Sequence, residues 1–111
     1  MVRSMSSGAA VFAAANPDPE IMPDLALAAG AVVVGTGRSD FPNQINNSLA
    51  FPGVFRGALD SHATQVTTRM KLAASQALAN LVAEPTPEKV LPWSLDRQVA
   101  QTVARAVSGA A

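Results

Sequence analysis

Gly8-Ala9-Ala10-Val11-Phe12-Ala13-Ala14-Ala15-Asn16-Pro17 and Gly30-Ala31-Val32-Val33-Val34-Gly35-Thr36-Gly37 are the two stretches whose reading decides the fold. Ala9 to Ala15 is a continuous apolar run bounded by Gly8 and by Asn16-Pro17. That pattern reads as a buried strand. Ala31 to Val34 is a second run, rich in β-branched residues and closed by Gly35-Thr36-Gly37. Continuous rather than alternating apolarity points to a parallel sheet covered on both faces. Between the runs, Asn16-Pro17-Asp18-Pro19-Glu20 reads as a turn, with Asp18 as helix N-cap and Pro19 at the first helical position. Pro19 to Ala29 is then predicted as a short helix, with Pro23 limiting its first turn and Gly30 as its stop. Strand, helix, strand at this spacing is a βαβ unit, expected to be right-handed.

Beyond the second strand comes the densest patch of uncharged hydrogen-bonding side chains. It is Gly37-Arg38-Ser39-Asp40-Phe41-Pro42-Asn43-Gln44-Ile45-Asn46-Asn47. A helix is predicted from about Gln44 to Leu49, broken by Phe51-Pro52-Gly53, and another from Val54 to Asp60, with Pro52 near its N-terminus. Thr64 to Val82 carries Val66, Met70, Ala73, Ala74, Ala77, Leu78 and Leu81 on one helical face. Glu84 to Trp93 holds three prolines and reads as an irregular arm. Asp96 to Val107 reads as a final helix with Val99, Val103, Ala106 and Val107 inward and Gly109 as its stop. The expected fold class is α/β: two parallel strands near the N-terminus followed by several helices, a partial Rossmann-like domain. The expected organisation is residues 1–83 as one part and residues 84–111 as a Pro-rich connection with a C-terminal helix.

Composition narrows the function. The 111 residues are 49% hydrophobic and only 14% charged, well below the quarter or so usual for a soluble domain. Some of this surface is therefore expected to meet more protein. Net charge is zero, and no basic stripe is present, so binding through nucleic acid phosphates is unsupported. Cysteine is absent, which excludes disulfides and thiolate chemistry and suits a cytoplasmic protein. Met1 to Ala15 has one positive charge and a weak, Ala-rich apolar run, and does not read as a secretory leader. No segment has the length of continuous apolar sequence that a membrane span needs.

In an open parallel sheet, ligands bind outside the carboxyl ends of the strands. Asn16 stands at the first such end, and the Asn46-Asn47 pair follows the second. Neutral amides donate and accept without bringing a charge that must be neutralised. Each also has an ordinary reading: Asn-Pro is a common turn device, and an asparagine often starts a helix. Gly35-Thr36-Gly37 lacks the third glycine of a dinucleotide fingerprint. His62, the single histidine, has no visible partner and reads as a connection residue. Arg38 and Asp40 read as a structural pair, and Trp93 as a packing anchor. No carboxylate pair, metal-ligand cluster or nucleophile–base set stands out.

At these residues the chain resembles the bacterial malic enzymes. The resemblance is carried by Ala14-Ala15-Asn16-Pro17-Asp18-Pro19-Glu20-Ile21, by Thr36 to Asn47, and by Phe51-Pro52-Gly53-Val54-Phe55-Arg56-Gly57-Ala58-Leu59-Asp60. Met70-Lys71-Leu72-Ala73-Ala74 is similar to the same family's next helix. The match runs from about Val11 to Val82 and loosens from Glu84 onward. It implies the carboxyl-terminal part of an NAD(P)-binding domain. It also implies oxidative decarboxylation of malate to pyruvate with NAD or NADP and a divalent Mg or Mn ion. Asn16, Asn46 and Asn47 then correspond to amides contacting malate or the nicotinamide side of the cofactor.

The family's glycine motif, catalytic tyrosine and lysine, and acidic metal ligands are not matched, and the chain has no tyrosine. The expectation is therefore a fragment without catalytic or metal-binding residues of its own. Its partners would be malate or pyruvate, a dinucleotide, and either a further chain or a second copy. The alternative expectation is a non-catalytic interaction module packing on a partner oxidoreductase chain.

Overall fold

The computed structural model describes all 111 residues. Two strands, β1 (Ala10–Ala13) and β2 (Val33–Thr36), flank helix α1 (Pro23–Ala28). Helices α2 (Phe51–Asp60), α3 (Thr68–Asn80) and α4 (Arg97–Gly109) follow, with short 3₁₀ turns at Val2–Ser4 and Asn47–Leu49. The strands pair in parallel, Ala10 opposite Val33 through Ala13 opposite Thr36, so the α/β class and the βαβ unit hold. The chain divides into two compact units. The first is Met1–Ile45 with Glu84–Val90, and the second is Asn46–Ala83 with Leu91–Ala111.

In the first unit the core is Ala26 from α1, Ala31 and Val34, with Val2, Val11 and Ile21 packed against it. Helix α1 is shorter than its sequence pattern predicts. Asp18 does not cap it; Met22 occupies the cap in extended backbone, and Pro23 takes the first turn, where its missing N–H costs nothing. The residues before it form a loop in which the Glu20 carboxylate accepts the Ala15 N–H at 3.2 Å. Gly30 does end the helix, with φ +107°, a backbone conformation that glycine adopts without strain.

Strand β2 lies two residues later than expected. The Ala31 N–H is still bonded to the Ala26 carbonyl, and pairing begins with Val32 N–H to Ala9. Gly35 and Thr36 are therefore part of the strand, and Thr36 is fully buried.

In the second unit, buried Leu49, Met70, Ala74, Val99, Val103 and Val107 form the core. The predicted break at Phe51-Pro52-Gly53 is instead the first turn of α2, again because proline there removes no intrahelical bond. Helix α3 starts later than predicted, where Thr67 caps it by accepting the Met70 N–H at 3.2 Å. Asp96 caps α4 through Gln98 N–H at 2.9 Å, and Val99, Val103, Ala104 and Val107 face inward. Trp93 does not anchor packing here; it is 68% exposed.

Helices α2 and α4 approach closely because α2 presents glycines. A Cβ on Gly53 would lie 2.5 Å from Val103 Cβ, and one on Gly57 would lie 2.5 Å from the Ala104 carbonyl oxygen. A backbone carbonyl cannot swing aside as a side-chain tip does. Gly57→Val should overpack this contact by on the order of 3 kcal/mol and lower the melting temperature by roughly 10 °C or more. Thermal unfolding followed by circular dichroism checks this; an unchanged midpoint would contradict the packing described.

Candidate functional site

Asn16 follows β1, and the Asn16–Pro17 peptide bond is cis. Its side chain lies against Gly37, where an added Cβ would fall 2.5 Å from Asn16 Oδ1. Gly37 thus lets the amide settle over the backbone that leaves β2. Asn16 is exposed, and its amide makes no hydrogen bond within the protein. Beside it, Arg38 forms a two-pronged pair with Asp40, Nε to Oδ1 at 2.9 Å and Nη2 to Oδ2 at 2.7 Å. The guanidinium carbon also stands 5.2 Å from the centre of the Phe41 ring, within cation–π range.

The hydrogen bond from Arg38 is the main cause holding the Asp40 carboxyl below its ordinary value. The same bond raises Arg38. What the pair contributes is present at neutral pH and is lost as pH falls through the depressed Asp40 value. Both groups are exposed, so that contribution is small.

The four amides from Asn43 to Asn47 do not act alike. Asn43 is buried at 8% exposure, with φ +56°. Its Nδ2 donates to the Val34 carbonyl at 3.1 Å and the Pro87 carbonyl at 2.8 Å. Its Oδ1 accepts the Val90 N–H at 2.9 Å. It therefore fastens the 84–90 segment to β2. Gln44 pairs with Thr36 as an isolated parallel bridge, and the Ile45 N–H donates to the Thr36 carbonyl at 2.7 Å. This pairing keeps Gln44-Ile45 extended where the sequence predicted a helix.

Asn46 then opens the second unit. Its Oδ1 accepts the Ser48 N–H at 3.0 Å, which caps the 3₁₀ turn and leaves Nδ2 as a donor without a partner. Asn47 is exposed, and its side chain makes no hydrogen bond within the protein.

Asn43 was missed as an individual residue by sequence reasoning. The signal available was Pro42-Asn43, a turn dipeptide, with asparagine tolerating a left-handed backbone. His62 is exposed in a connection, with φ +52°. No three His, Asp or Glu side chains come together as a metal site. No helix is long and apolar enough to cross a membrane.

A parallel βαβ unit whose strand ends lead into amide-bearing loops belongs to the Rossmann-like class of nucleotide-binding domains. The family described as "Malic enzyme, NAD binding domain" matches residues 2–111, and the chain belongs to that family. It is 58% identical to the bifunctional malic/malolactic enzyme of Bacillus subtilis (strain 168), over 100% of this chain and 28% of that protein. It is 55% identical to the NADP-dependent malic enzyme of Rhizobium meliloti (strain 1021), over 81% of this chain and 12% of that protein. The solved malic enzyme of Pyrococcus horikoshii Ot3 superposes with a TM-score of 0.94 at 51% identity, over 97% of this chain and 25% of that one. The chain thus spans less than a third of the length of each of these relatives.

The amides should separate in a stability experiment. Asn43→Ala strands two carbonyls and an N–H and should cost about 1–3 kcal/mol. Asn16→Ala and Asn47→Ala, at exposed positions without bonds, should stay within about 0.5 kcal/mol of the parent. Urea unfolding of the three variants checks the contrast, and equal losses at all three positions would contradict it.

Proposed function

We propose that this chain is the carboxyl-terminal part of a malic enzyme NAD(P)-binding domain. In the complete enzyme Asn16, Asn46 and Asn47 contact malate or the nicotinamide side of NAD or NADP. The reaction served is the oxidative decarboxylation of malate to pyruvate, in the cytoplasm. One observation carries the assignment. Asn43 spends its whole amide on the fold, whereas Asn16 and Asn47 spend nothing and Asn46 keeps its Nδ2.

The chemistry suits a hydroxy acid. Amide N–H groups donate to its carboxylate and hydroxyl oxygens, and amide oxygens accept from the hydroxyl or from a carboxamide. Being neutral, they hold the substrate without adding charge beside it. The Mg or Mn ion used by the family is assigned no ligand here, and no proton donor or base is assigned to this chain. The isolated chain is accordingly inactive. Purified chain given malate, NAD or NADP and Mn should reduce no cofactor, and measurable turnover would overturn the fragment reading.

The site assignment needs a complete enzyme. This chain can be spliced into the Bacillus subtilis relative in place of the matching region. There, Asn16→Ala and Asn47→Ala should each lower kcat/KM by roughly 10–100-fold, the loss of a hydrogen bond to a charged group. Their melting temperatures should stay unchanged. Full activity in both variants would sink the assignment.

A second reading is a non-catalytic module that packs on a partner oxidoreductase chain. The exposure of Phe12, Phe51, Phe55, Leu59 and Trp93, each above half, favours it. Co-purification with a larger oxidoreductase, without any effect of Asn16→Ala or Asn47→Ala on that enzyme, would select this reading.

A further inference from the structure

We infer that Gly37 is a positioning residue. It keeps clear the space in which the Asn16 amide lies, and so sets how that amide meets malate or the nicotinamide side of the cofactor. This role rests on the proposed contact of Asn16 with ligand and adds the residue that sets the side chain's place.

The backbone does not call for glycine here. Gly8 and Gly30 stand in left-handed backbone, at φ +76° and +107°, and Gly37 does not. What position 37 requires is space. A Cβ there would lie 2.5 Å from Asn16 Oδ1 and 3.1 Å from both Cγ and Nδ2. Its three nearest atoms are thus the amide group of one side chain, and none is backbone. At Gly35 and Gly57 an added Cβ would instead press on backbone carbonyls, of Asn43 and Ala104.

The main chain on both sides of this contact is tied down. Gln44 Nε2 donates to the Gly37 carbonyl at 3.4 Å, and the Arg38 N–H donates to Oγ1 of Thr36 at 3.2 Å. Thr36 itself is fully buried. Across from it, the Ala15 N–H donates to the Glu20 carboxylate at 3.2 Å. A methyl group at 37 is therefore relieved most cheaply by turning Asn16 into another staggered rotamer. An amide has a donor end and an acceptor end, so a bound molecule feels that turn. Misplacing a substrate-holding group by about 1 Å can cost about 100-fold in rate.

Two measurements test this. Nuclear magnetic resonance on the chain reads the Asn16 χ1 angle from three-bond couplings. Gly37→Ala should move it to another rotamer, while the backbone resonances of Val11 and Val34 stay in place. The same couplings in parent and variant overturn the proposal. Lost Val11 and Val34 resonances overturn it too, since the methyl then presses on the fold.

In the splice into the Bacillus subtilis relative, Gly37→Ala should lower kcat/KM by roughly tenfold or more, divided between kcat and KM as in Asn16→Ala. Adding Gly37→Ala to Asn16→Ala should cost nothing further, because no amide is left to displace. Gly109→Ala, the same change where a Cβ meets nothing within 4 Å, should leave activity unchanged. Losses that multiply in the double variant overturn the proposal, because Gly37 then acts apart from Asn16. Full activity in Gly37→Ala beside a loss in Asn16→Ala overturns it and leaves the site assignment standing. Full activity in Asn16→Ala removes the site assignment and the role of Gly37 with it.

Discussion

Strand β2 can be buried only if the backbone groups along both its edges are paired, because an unpaired buried peptide group costs about as much as a lost hydrogen bond. Its inner edge is satisfied by β1 through four residue pairs. Its outer edge has no neighbouring strand of comparable length. The chain instead turns back after Asp40 and supplies Asn43, Gln44 and Ile45 in succession. Asn43 reaches the Val34 carbonyl with its side chain, and Ile45 reaches the Thr36 carbonyl with its N–H. Between these two, Gly35 has room for nothing larger, since a Cβ there would lie 2.9 Å from the Asn43 carbonyl oxygen and 2.8 Å from the Phe12 ring. The amide-rich loop is thus first a device for finishing a sheet edge. Only what remains after that task is free for a ligand.

This order of priorities explains what the sequence revealed and what it hid. Apolar continuity over Ala9–Ala15 and Ala31–Val34 made the βαβ unit readable, but the expected cover on both faces is not met within this chain, where Phe12 is 55% exposed and Val32 45%. The same reasoning misplaced β2, because hydropathy marks which residues are buried and hydrogen bonding marks which are paired. Ala31 is buried but bonded to α1, whereas Thr36 is polar yet fully inside. Gln44 and Ile45 have no local reason to be extended; their conformation is set by a partner eight or nine positions earlier. Of the amides, sequence alone placed four in one cluster. It could not say that Asn43 would be consumed, because its partners at Pro87 and Val90 lie far along the chain.

In the second unit the main helix contact depends on residues read from the sequence as a break, Phe51-Pro52-Gly53, which form the first turn of α2. Glycines at 53 and 57 fall one turn apart on α2 and meet valines at 103 and 107, also one turn apart on α4. Matching periods of this kind bring two helix backbones together along a seam. The cost of helical glycine, about 1 kcal/mol each relative to alanine, is offset by the burial of Val103 and Val107 to zero exposure. Pro23, read as limiting a first turn, and Pro52, read as lying near a new N-terminus after a break, both stand in the first turn of a helix, where a proline initiates rather than interrupts.

The low charge of the sequence goes with large apolar side chains left open in the structure. Phe51 and Phe55 stack on each other with ring centres 5.6 Å apart, yet each remains more than half exposed, as do Leu59, Leu72 and Leu95. Stacking within one helix covers only the facing side of each ring. A helix that buries Gly53 and Gly57 on one side and shows two phenylalanines and a leucine on another has two apolar faces. A helix of that kind belongs between two layers of protein. Strand β1 makes the same statement in the other unit, with Ala13 buried and Phe12 open. Both elements thus pair a buried face with an open apolar one.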